Sequence, residues 1–284
     1  MEKKKLFFLN GKRAMISLGP FNSERHCPYR CAFCYVQDGF DKYANLDVDD
    51  ILAFLKINRN NYEIVYISGD TDSFAPPRTN TALELLAKIS KNLDVDLLFT
   101  TRTTFAPEHL AEIKKIADNQ IKKGYRLYAC VSITRYSENV AYIEPSPIPS
   151  PDERIETLIN LKNAGAVTVA TLRPFLPVVS VSDYLTILEK VNGYVDIALG
   201  ESFYFIPGGK IYQRVFPEGI PEHCKKDITH GNKMVFDTNE LDWDIWDSGE
   251  YERVVRDYCD THGIIFSMHS DDAIAEYKKK FPLE

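Results

Sequence analysis

The chain has 284 residues, of which 44% are hydrophobic and 26% are charged, as is ordinary for soluble globular proteins. Its formal net charge of −7 argues against a nucleic-acid partner, because such partners favour basic surfaces. The net charge does not exclude a local basic patch. No stretch approaches the roughly 18 to 20 apolar residues of a membrane span, and the apolar run near the start is too short for a signal peptide. We therefore expect one large or two ordinary domains, no membrane partner, and a cytoplasmic location in which thiols stay reduced.

Segments rich in β-branched and aromatic residues alternate with segments of helical period, which indicates repeated βα units and a parallel sheet. The predicted strands lie at residues 14–18, 63–67, 97–101, 127–133, 167–172 and 195–199. The predicted helices lie at residues 48–57, 82–92, 107–121, 151–164 and 181–191. Ser150 and Pro151 are the expected cap and first-turn proline of the fourth helix. Since glycine-rich nucleotide motifs are absent from the sequence, these units suit a partial or complete α/β barrel better than an open dinucleotide-binding fold.

The last quarter of the chain has a less regular pattern. Residues 203–230 contain several glycines and prolines without a clear period, so we expect a loop that covers the site. Residues 250–261 are predicted to form a helix and residues 263–269 a buried strand. The sequence shows no convincing domain linker and no internal repeat of fixed period.

Polar residues follow the carboxyl ends of successive predicted strands. Residues 68–72, Arg102 and Ser132 follow the second, third and fourth strands, and a cysteine-rich loop follows the first. Arg173 and Glu201 come just after the fifth and sixth strands, and His269 ends the last strand. Because functional groups of α/β barrels lie at the carboxyl ends of the strands, we expect these residues to share one active-site mouth.

Three of the six cysteines, Cys27, Cys31 and Cys34, lie within eight positions. Thiolates are soft ligands, and three at this spacing can surround one compact metal centre. A structural zinc site needs four ligands, so a distant residue such as Cys224 or His230 would have to be the fourth ligand. An iron–sulfur cubane can instead be held by three cysteines, which leaves one iron open. Disulfides are a further alternative at this stage.

The Cys-x3-Cys-x2-Cys motif, with Phe33 before its last cysteine, resembles the cluster motif of the radical S-adenosylmethionine (SAM) enzymes. Further segments, spaced in order over roughly residues 14–195, are similar to the group related to spore photoproduct lyase; they are residues 71–76, 131–134, 144–145, 149–154, 161–165 and 174–177. The sequence departs from that group at residues 73–75. It also lacks a cysteine between Cys34 and Cys130, where the lyase carries its hydrogen donor, which puts DNA photoproduct repair in doubt.

The resemblance implies a fold and two cofactors. The fold is an α/β partial (β/α)6 barrel of the radical SAM type over residues 1–205, with an irregular extension over residues 206–284 that completes or covers the barrel. The cofactors are a 4Fe-4S cluster and SAM, with a reductant such as a flavodoxin or ferredoxin. Reductive cleavage of SAM would give a 5′-deoxyadenosyl radical that takes a hydrogen atom from an unidentified small or peptide-like substrate.

The resemblance also implies roles for individual residues. Cys27, Cys31 and Cys34 would bind the cluster. The expected SAM-binding residues are Phe33, Ser68, Gly69, Asp70, Asp72, Arg102, Ser132 and Arg154, and the substrate candidates are Arg173, Glu201 and His269. A strand-end turn would also explain residues 68–72. Arg154 and Glu144 could form a supporting pair or reach the cofactor, and a helix-surface ion pair would explain Arg154 almost as well.

Two other functions stay open at this stage. One is a nucleic-acid-acting relative of the lyase, and the other is a non-enzymatic module that binds zinc or an iron–sulfur cluster. Iron content and SAM cleavage separate the enzyme from the module, and salt-dependent oligonucleotide binding would indicate the nucleic-acid-acting relative.

Overall fold

The computed structural model describes residues 7–18, 27–36, 48–69, 71–236 and 239–283. The strands in these ranges are β1 (Phe7–Asn10), β2 (Arg13–Ile16), β3 (Ile64–Ile67), β4 (Asp96–Thr101), β5 (Leu127–Ser132), β6 (Val167–Thr171), β7 (Ile197–Leu199), β8 (Phe203–Phe205), β9 (Ile228–Phe236), β10 (Asn239–Trp246) and β11 (Ile265–Ser267). The α-helices are α1 (Val48–Ile57), α2 (Thr79–Asn92), α3 (Pro107–Lys122), α4 (Pro151–Asn163), α5 (Val181–Val191), α6 (Lys210–Val215), α7 (Gly249–His262) and α8 (Ser270–Lys280). Short 3-10 helices span Arg59–Asn61, Glu138–Ile143 and Glu222–Asp227.

The main sheet has eight strands in the order β1-β2-β3-β4-β5-β6-β7-β11. The seven strands from β2 to β11 are parallel, and β1 pairs antiparallel with β2 at one edge. Helices connect the consecutive parallel strands, as βα units require. No pairing joins β1 to β11 in the described strands, so the sheet is open. This architecture confirms the predicted α/β partial barrel.

Both faces of the parallel sheet are buried, which explains why its strands are nearly continuous apolar runs. On one face, Leu97 of β4 packs in the same core as Leu86 of α2. On the other face, the next residue, Leu98, shares a core with Ile274 of α8. The side chains of a strand alternate between faces, so a helix layer and the single helix α8 cover opposite sides of the same strands.

Helix α8 is fixed against the sheet by polar contacts as well as by apolar packing. The guanidinium of Arg13 in β2 donates to Ser270 Oγ at 2.8 Å, and Lys278 Nζ pairs with Asp96 Oδ2 in β4 at 2.8 Å. Both sheet residues belong to the amino-terminal parts of their strands. Helix α8 therefore lies towards the amino-terminal end of the sheet and does not cover the carboxyl ends of these strands.

The expectation of a loop over residues 203–230 is wrong. This stretch contains β8, α6 and a 3-10 helix, and it leads into a second, antiparallel sheet of order β8-β10-β9. The edge strand β1 and helix α8 were also not predicted. Strands of three or four residues carry too little periodicity to be recognised, and a strand such as β9 mixes polar residues and glycine with few apolar ones. The predicted boundary at residue 205 stays a prediction, although β11 joins the same sheet as β7.

No helix in the described ranges is both long enough and apolar enough to cross a membrane.

Candidate active site

A cavity of about 400 Å³ opens at the carboxyl ends of the parallel strands, and this volume suits a small-molecule site. The register of the sheet brings these strand ends to one level. It pairs Thr101 with Val131, Ser132 with Thr171, and Thr171 with Leu199. The sequence-predicted site residues that line the cavity are Cys27, Cys31, Cys34, Phe33, Ser68, Gly69, Asp72, Arg102, Ser132, Arg173 and Glu201. The second sheet and its connections close one side through Tyr204 and Trp243.

The cysteine loop has a defined shape. The Cys34 amide donates to the Cys31 carbonyl at 3.1 Å, which forms a tight turn, and the Ala32 amide donates to the Ile143 carbonyl at 2.8 Å. Arg214 of α6 donates to the carbonyls of Ala32 and Cys34, both at 2.9 Å. These bonds attach the loop to two other segments of the chain, so its three thiols are positioned by the fold.

The three thiols are suited to a soft metal centre. None of the six cysteines, all of which are described, forms a disulfide in this structure. Burial raises the pKa of Cys27 to about 12, and the nearby Asp72 carboxylate contributes to that rise. Burial likewise raises the pKa of the Cys31 thiol. Thiolates bind metals, so metal binding here must release protons into solvent.

The spacing of the thiols bears on the kind of metal centre. Within the described ranges, no three Cys, His, Asp or Glu side chains converge as closely as a single metal ion demands. A zinc ion binds all of its thiolates at about 2.3 Å, whereas in a cubane each thiolate binds a different iron. Three thiolates beside one cavity match the donor set of an iron–sulfur cluster, in which each thiolate binds a different iron.

Asp72 connects the end of β4 to the turn after β3. Its carboxylate accepts from the Arg102 amide at 2.6 Å, the Phe74 amide at 3.1 Å and the Thr101 hydroxyl at 3.0 Å. Burial raises the pKa of Asp72 above its ordinary value, although these donors oppose the rise. With so many bonds already made, the carboxylate mainly positions Arg102.

A buried ion network lies beneath the cavity. Glu144 receives Arg154 on both carboxylate oxygens, at 3.0 and 2.7 Å, and receives Arg102 Nε at 3.2 Å. Arg154 also donates to the Ser132 carbonyl at 2.7 Å. Burial alone would raise the pKa of Glu144, but the charges and hydrogen bonds of the two arginines hold it below its ordinary value. The network thus connects α4, the end of β5 and the residue after β4.

Arg102 presents its guanidinium to the cavity next to the cysteine loop. The guanidinium carbon lies 5.6 Å from the centre of the Phe33 ring, within the range of a cation–π contact. Burial opposes the charge, but Cys31, Glu144 and Asp72 together raise the pKa of Arg102. Its Nε is bound to Glu144, and no described residue bonds its two terminal nitrogens. A paired donor for a carboxylate therefore faces the cavity beside Cys31.

The turn after β3 places backbone groups in the cavity wall. Ser68 has a φ of 70°, in the left-handed region that non-glycine residues rarely adopt. Its hydroxyl accepts from the Ser73 amide at 3.0 Å, which stabilises this conformation. At Gly69 a Cβ atom would lie 2.3 Å from Met15 Cε, so the backbone approaches the sheet closely there.

Two predicted site residues are described and do not line the cavity. Arg154 is fully buried and pairs with Glu144, so the supporting pair is observed and the helix-surface alternative is wrong. His269 is exposed just before α8 and is not part of the cavity wall. Asp70 lies outside the described residues.

Several residues of the site were missed by the sequence interpretation. Tyr66, Thr100 and Thr171 line the cavity from within β3, β4 and β6, and Tyr66 Oη lies 2.8 Å from Thr100 Oγ1. Polar side chains inside otherwise apolar strands were the signal that could have identified them. No sequence signal identified Arg214, because only the tertiary fold brings α6 to the cysteine loop.

The fold and the site define an α/β partial-barrel enzyme with a cysteine-lined mouth. A family model described as the radical SAM superfamily matches residues 22–191, and the chain belongs to that superfamily. Its members use a 4Fe-4S cluster and SAM, so the chain is a radical SAM enzyme. No curated protein sequence matches the chain.

Solved structures share the fold at low sequence identity. A doubly substituted spore photoproduct lyase with bound AdoMet and dinucleoside spore photoproduct has a TM-score of 0.65 and 15% identity, over 84% of this chain and 73% of that one. Streptococcus suis SuiB bound to SAM has a TM-score of 0.58 and 12% identity, over 89% of this chain and 50% of that one. SuiB bound to its precursor peptide SuiA has a TM-score of 0.54 and 10% identity, over 89% of this chain and 49% of that one. The chain thus spans about half the length of SuiB.

Proposed function

We propose that this enzyme cleaves SAM reductively at a cluster held by Cys27, Cys31 and Cys34, and then abstracts a hydrogen atom from a substrate in the same cavity. The observation that carries the proposal is that three cysteine thiols and the Arg102 guanidinium line the same cavity. When bound, the cluster and SAM supply an electron and a 5′-deoxyadenosyl radical.

The chain's own residues would bind and orient the cofactors. The terminal nitrogens of Arg102 would bind the SAM carboxylate, because no described residue bonds them and they are adjacent to Cys31. Backbone groups of residues 68–70 would receive the methionine amine, and Phe33 and Ser132 would contact the rest of SAM.

Asp72, Glu144 and Arg154 would act as positioning residues. Asp72 fixes the Arg102 backbone, and Glu144 fixes its side chain. Arg154 neutralises Glu144 and holds the Ser132 carbonyl. A misplaced Arg102 would move the SAM carboxylate, and small errors in position are costly in catalysis.

The volume of the cavity supports a small or peptide-like substrate. The cavity walls at the strand ends would shield that substrate from bulk water. We further propose a low-potential donor such as a flavodoxin or ferredoxin, a cytoplasmic location, and a C-terminal segment of residues 206–284 that folds with the barrel. Arg214 supports the last point, because a residue of that segment binds the cysteine loop.

Anaerobic reconstitution with iron and sulfide tests the proposal. We expect about four irons per chain and 5′-deoxyadenosine on addition of SAM and a reductant. Cys31→Ala should lose both, whereas the matched control Cys259→Ala, which removes a buried thiol of α7, should keep both. Stoichiometric zinc without SAM cleavage in the unmodified protein would contradict the proposal and favour a metal-binding module.

A further inference from the structure

One cation of the cavity wall has no hydrogen-bond or ion-pair partner among the described residues. The described arginines that line the cavity are Arg13, Arg102 and Arg173. Arg13 pairs with Asp271 at 3.2 Å, and Arg102 pairs with Glu144 at 3.2 Å. No described residue makes a hydrogen bond or an ion pair with the Arg173 guanidinium.

The surroundings of Arg173 are polar but nearly uncharged. The groups that chiefly influence its charge are Tyr66, Glu201, Cys130 and Tyr35, and only Glu201 is a carboxylate. Glu201 is exposed and, within the described ranges, makes no ion pair with Arg173. A guanidinium removed from water costs free energy unless an anion compensates it. Arg173 is half-buried in the cavity wall, and the one carboxylate among these groups, Glu201, makes no ion pair with it, so the anion of a ligand can pair directly with the guanidinium.

The wall beside Arg173 also offers neutral hydrogen-bonding groups. Tyr66 and Thr100 bring two hydroxyls to the cavity, 2.8 Å apart. The buried hydroxyl of Thr171, two residues before Arg173, has at most the Cys130 thiol as a partner among the described side chains. These groups can complete the hydrogen bonding of an oxygen-rich ligand that the guanidinium holds.

Arg173 and Arg102 are far enough apart to serve different ligands. Arg102 follows β4 and Arg173 follows β6, with β5 between them, so the two backbones are separated by two strand spacings, or about 10 Å. Arg102 is the cation adjacent to Cys31. Arg173 is thus the cation that remains to bind the substrate.

We propose that the substrate is a small carboxylic acid whose carboxylate is bound by the Arg173 guanidinium. This proposal rests on the proposed function, in which the cysteine loop binds the cluster and Arg102 binds SAM. A carboxylate matches the paired donors and the single positive charge of Arg173. A phosphate group carries up to two negative charges and would favour a second cation, but Arg13 pairs with Asp271 and the proposed function assigns Arg102 to SAM.

Binding of matched acids and amides to the reconstituted, SAM-loaded protein tests the proposal. The probes are propionate and L-lactate, each compared with its amide, which has the same shape but no charge. The unmodified protein should bind the acids and not the amides. Arg173→Gln should weaken acid binding about ten- to a hundredfold, because a charged hydrogen-bonded pair is lost. Arg173→Lys, which keeps the charge but loses the paired donors, should bind the acids with intermediate affinity.

The control variant is Arg253→Gln, which removes an exposed arginine of α7 and should bind the acids like the unmodified protein. Equal binding of acids and amides, unchanged acid binding by Arg173→Gln, or binding of inorganic phosphate but of neither acid would overturn the proposal. Loss of SAM affinity with retained acid binding in Arg173→Gln would also overturn it. Iron content and 5′-deoxyadenosine are measured on the same unmodified protein, so failure of the proposed function is detected separately.

Discussion

At the scale of single residues, the site depends on one carboxylate, Glu144, that pairs with two arginines. Glu144 is fully buried with Arg154, and Arg102 completes the group. The sequence indicated a Glu144–Arg154 pair from the resemblance alone. It did not indicate the complete burial of that pair, because burial depends on how α4 packs behind the end of β5. The same is true of Arg173, which was predicted as a substrate candidate, whereas its lack of a described partner is visible only in three dimensions.

Glu144→Gln should destabilise the protein by about 3–5 kcal/mol, because it leaves two guanidiniums without their buried counter-ion. Urea unfolding measures this change through the midpoint at constant slope. The control Glu138→Gln removes a carboxylate that is 83% exposed and 3.5 Å from Arg135, and it should cost less than about 1 kcal/mol. Equal effects of the two substitutions would contradict the assigned role of Glu144.

The pH dependence of that difference follows from the lowered pKa of Glu144. A carboxylate whose pKa is lower in the folded state stabilises the fold fully above its unfolded pKa, about 4.5, and this contribution disappears as the pH falls through the folded value. The stability difference between the unmodified protein and Glu144→Gln should therefore be constant near neutral pH and shrink below about pH 4.5. A difference that grows on acidification would contradict the ionised state of Glu144.

At the scale of secondary-structure elements, the parallel strands were predictable and the additions to them were not. Buried βα units produce apolar strands and helix caps that can be recognised in the sequence. At the start of α4 the Ser150 side chain does accept a hydrogen bond from the Glu153 amide, as that cap requires. The short edge strand β1, helix α6 and the antiparallel sheet lack that periodicity. Helix α6 contributes directly to the site, since its Arg214 holds the cysteine loop.

Arg214→Ala should lower the iron content of the reconstituted protein without unfolding it. The substitution frees two backbone carbonyls of the cysteine loop, so the thiols lose part of their fixed geometry. The control Gln213→Ala removes the neighbouring side chain, which bonds the Gly208 carbonyl of its own segment, and it should keep full iron content. Iron analysis together with circular dichroism separates loop disorder from unfolding. Full iron content in Arg214→Ala would show that the loop does not need α6.

At the scale of the whole molecule, distant parts of the chain meet at one mouth. The cysteine loop follows β2, Arg102 follows β4, Arg173 follows β6, and Arg214 comes from the C-terminal segment. The order of the strands was predictable from the sequence, and it brings the first three together. The sequence also predicted that residues 206–284 complete or cover the barrel, but it did not indicate which of them reach the site, because that depends on packing between segments with weak sequence patterns.

The central claim is that the three cysteines hold a cluster whose open iron binds SAM inside this cavity. Electron–nuclear double resonance of the reduced protein, with SAM labelled by ¹⁷O in its carboxylate and ¹⁵N in its amine, tests it most directly. We expect magnetic coupling of both labels to the cluster, with the carboxylate coupling weakened in Arg102→Gln. An intact cluster that shows no coupling to either label would contradict it.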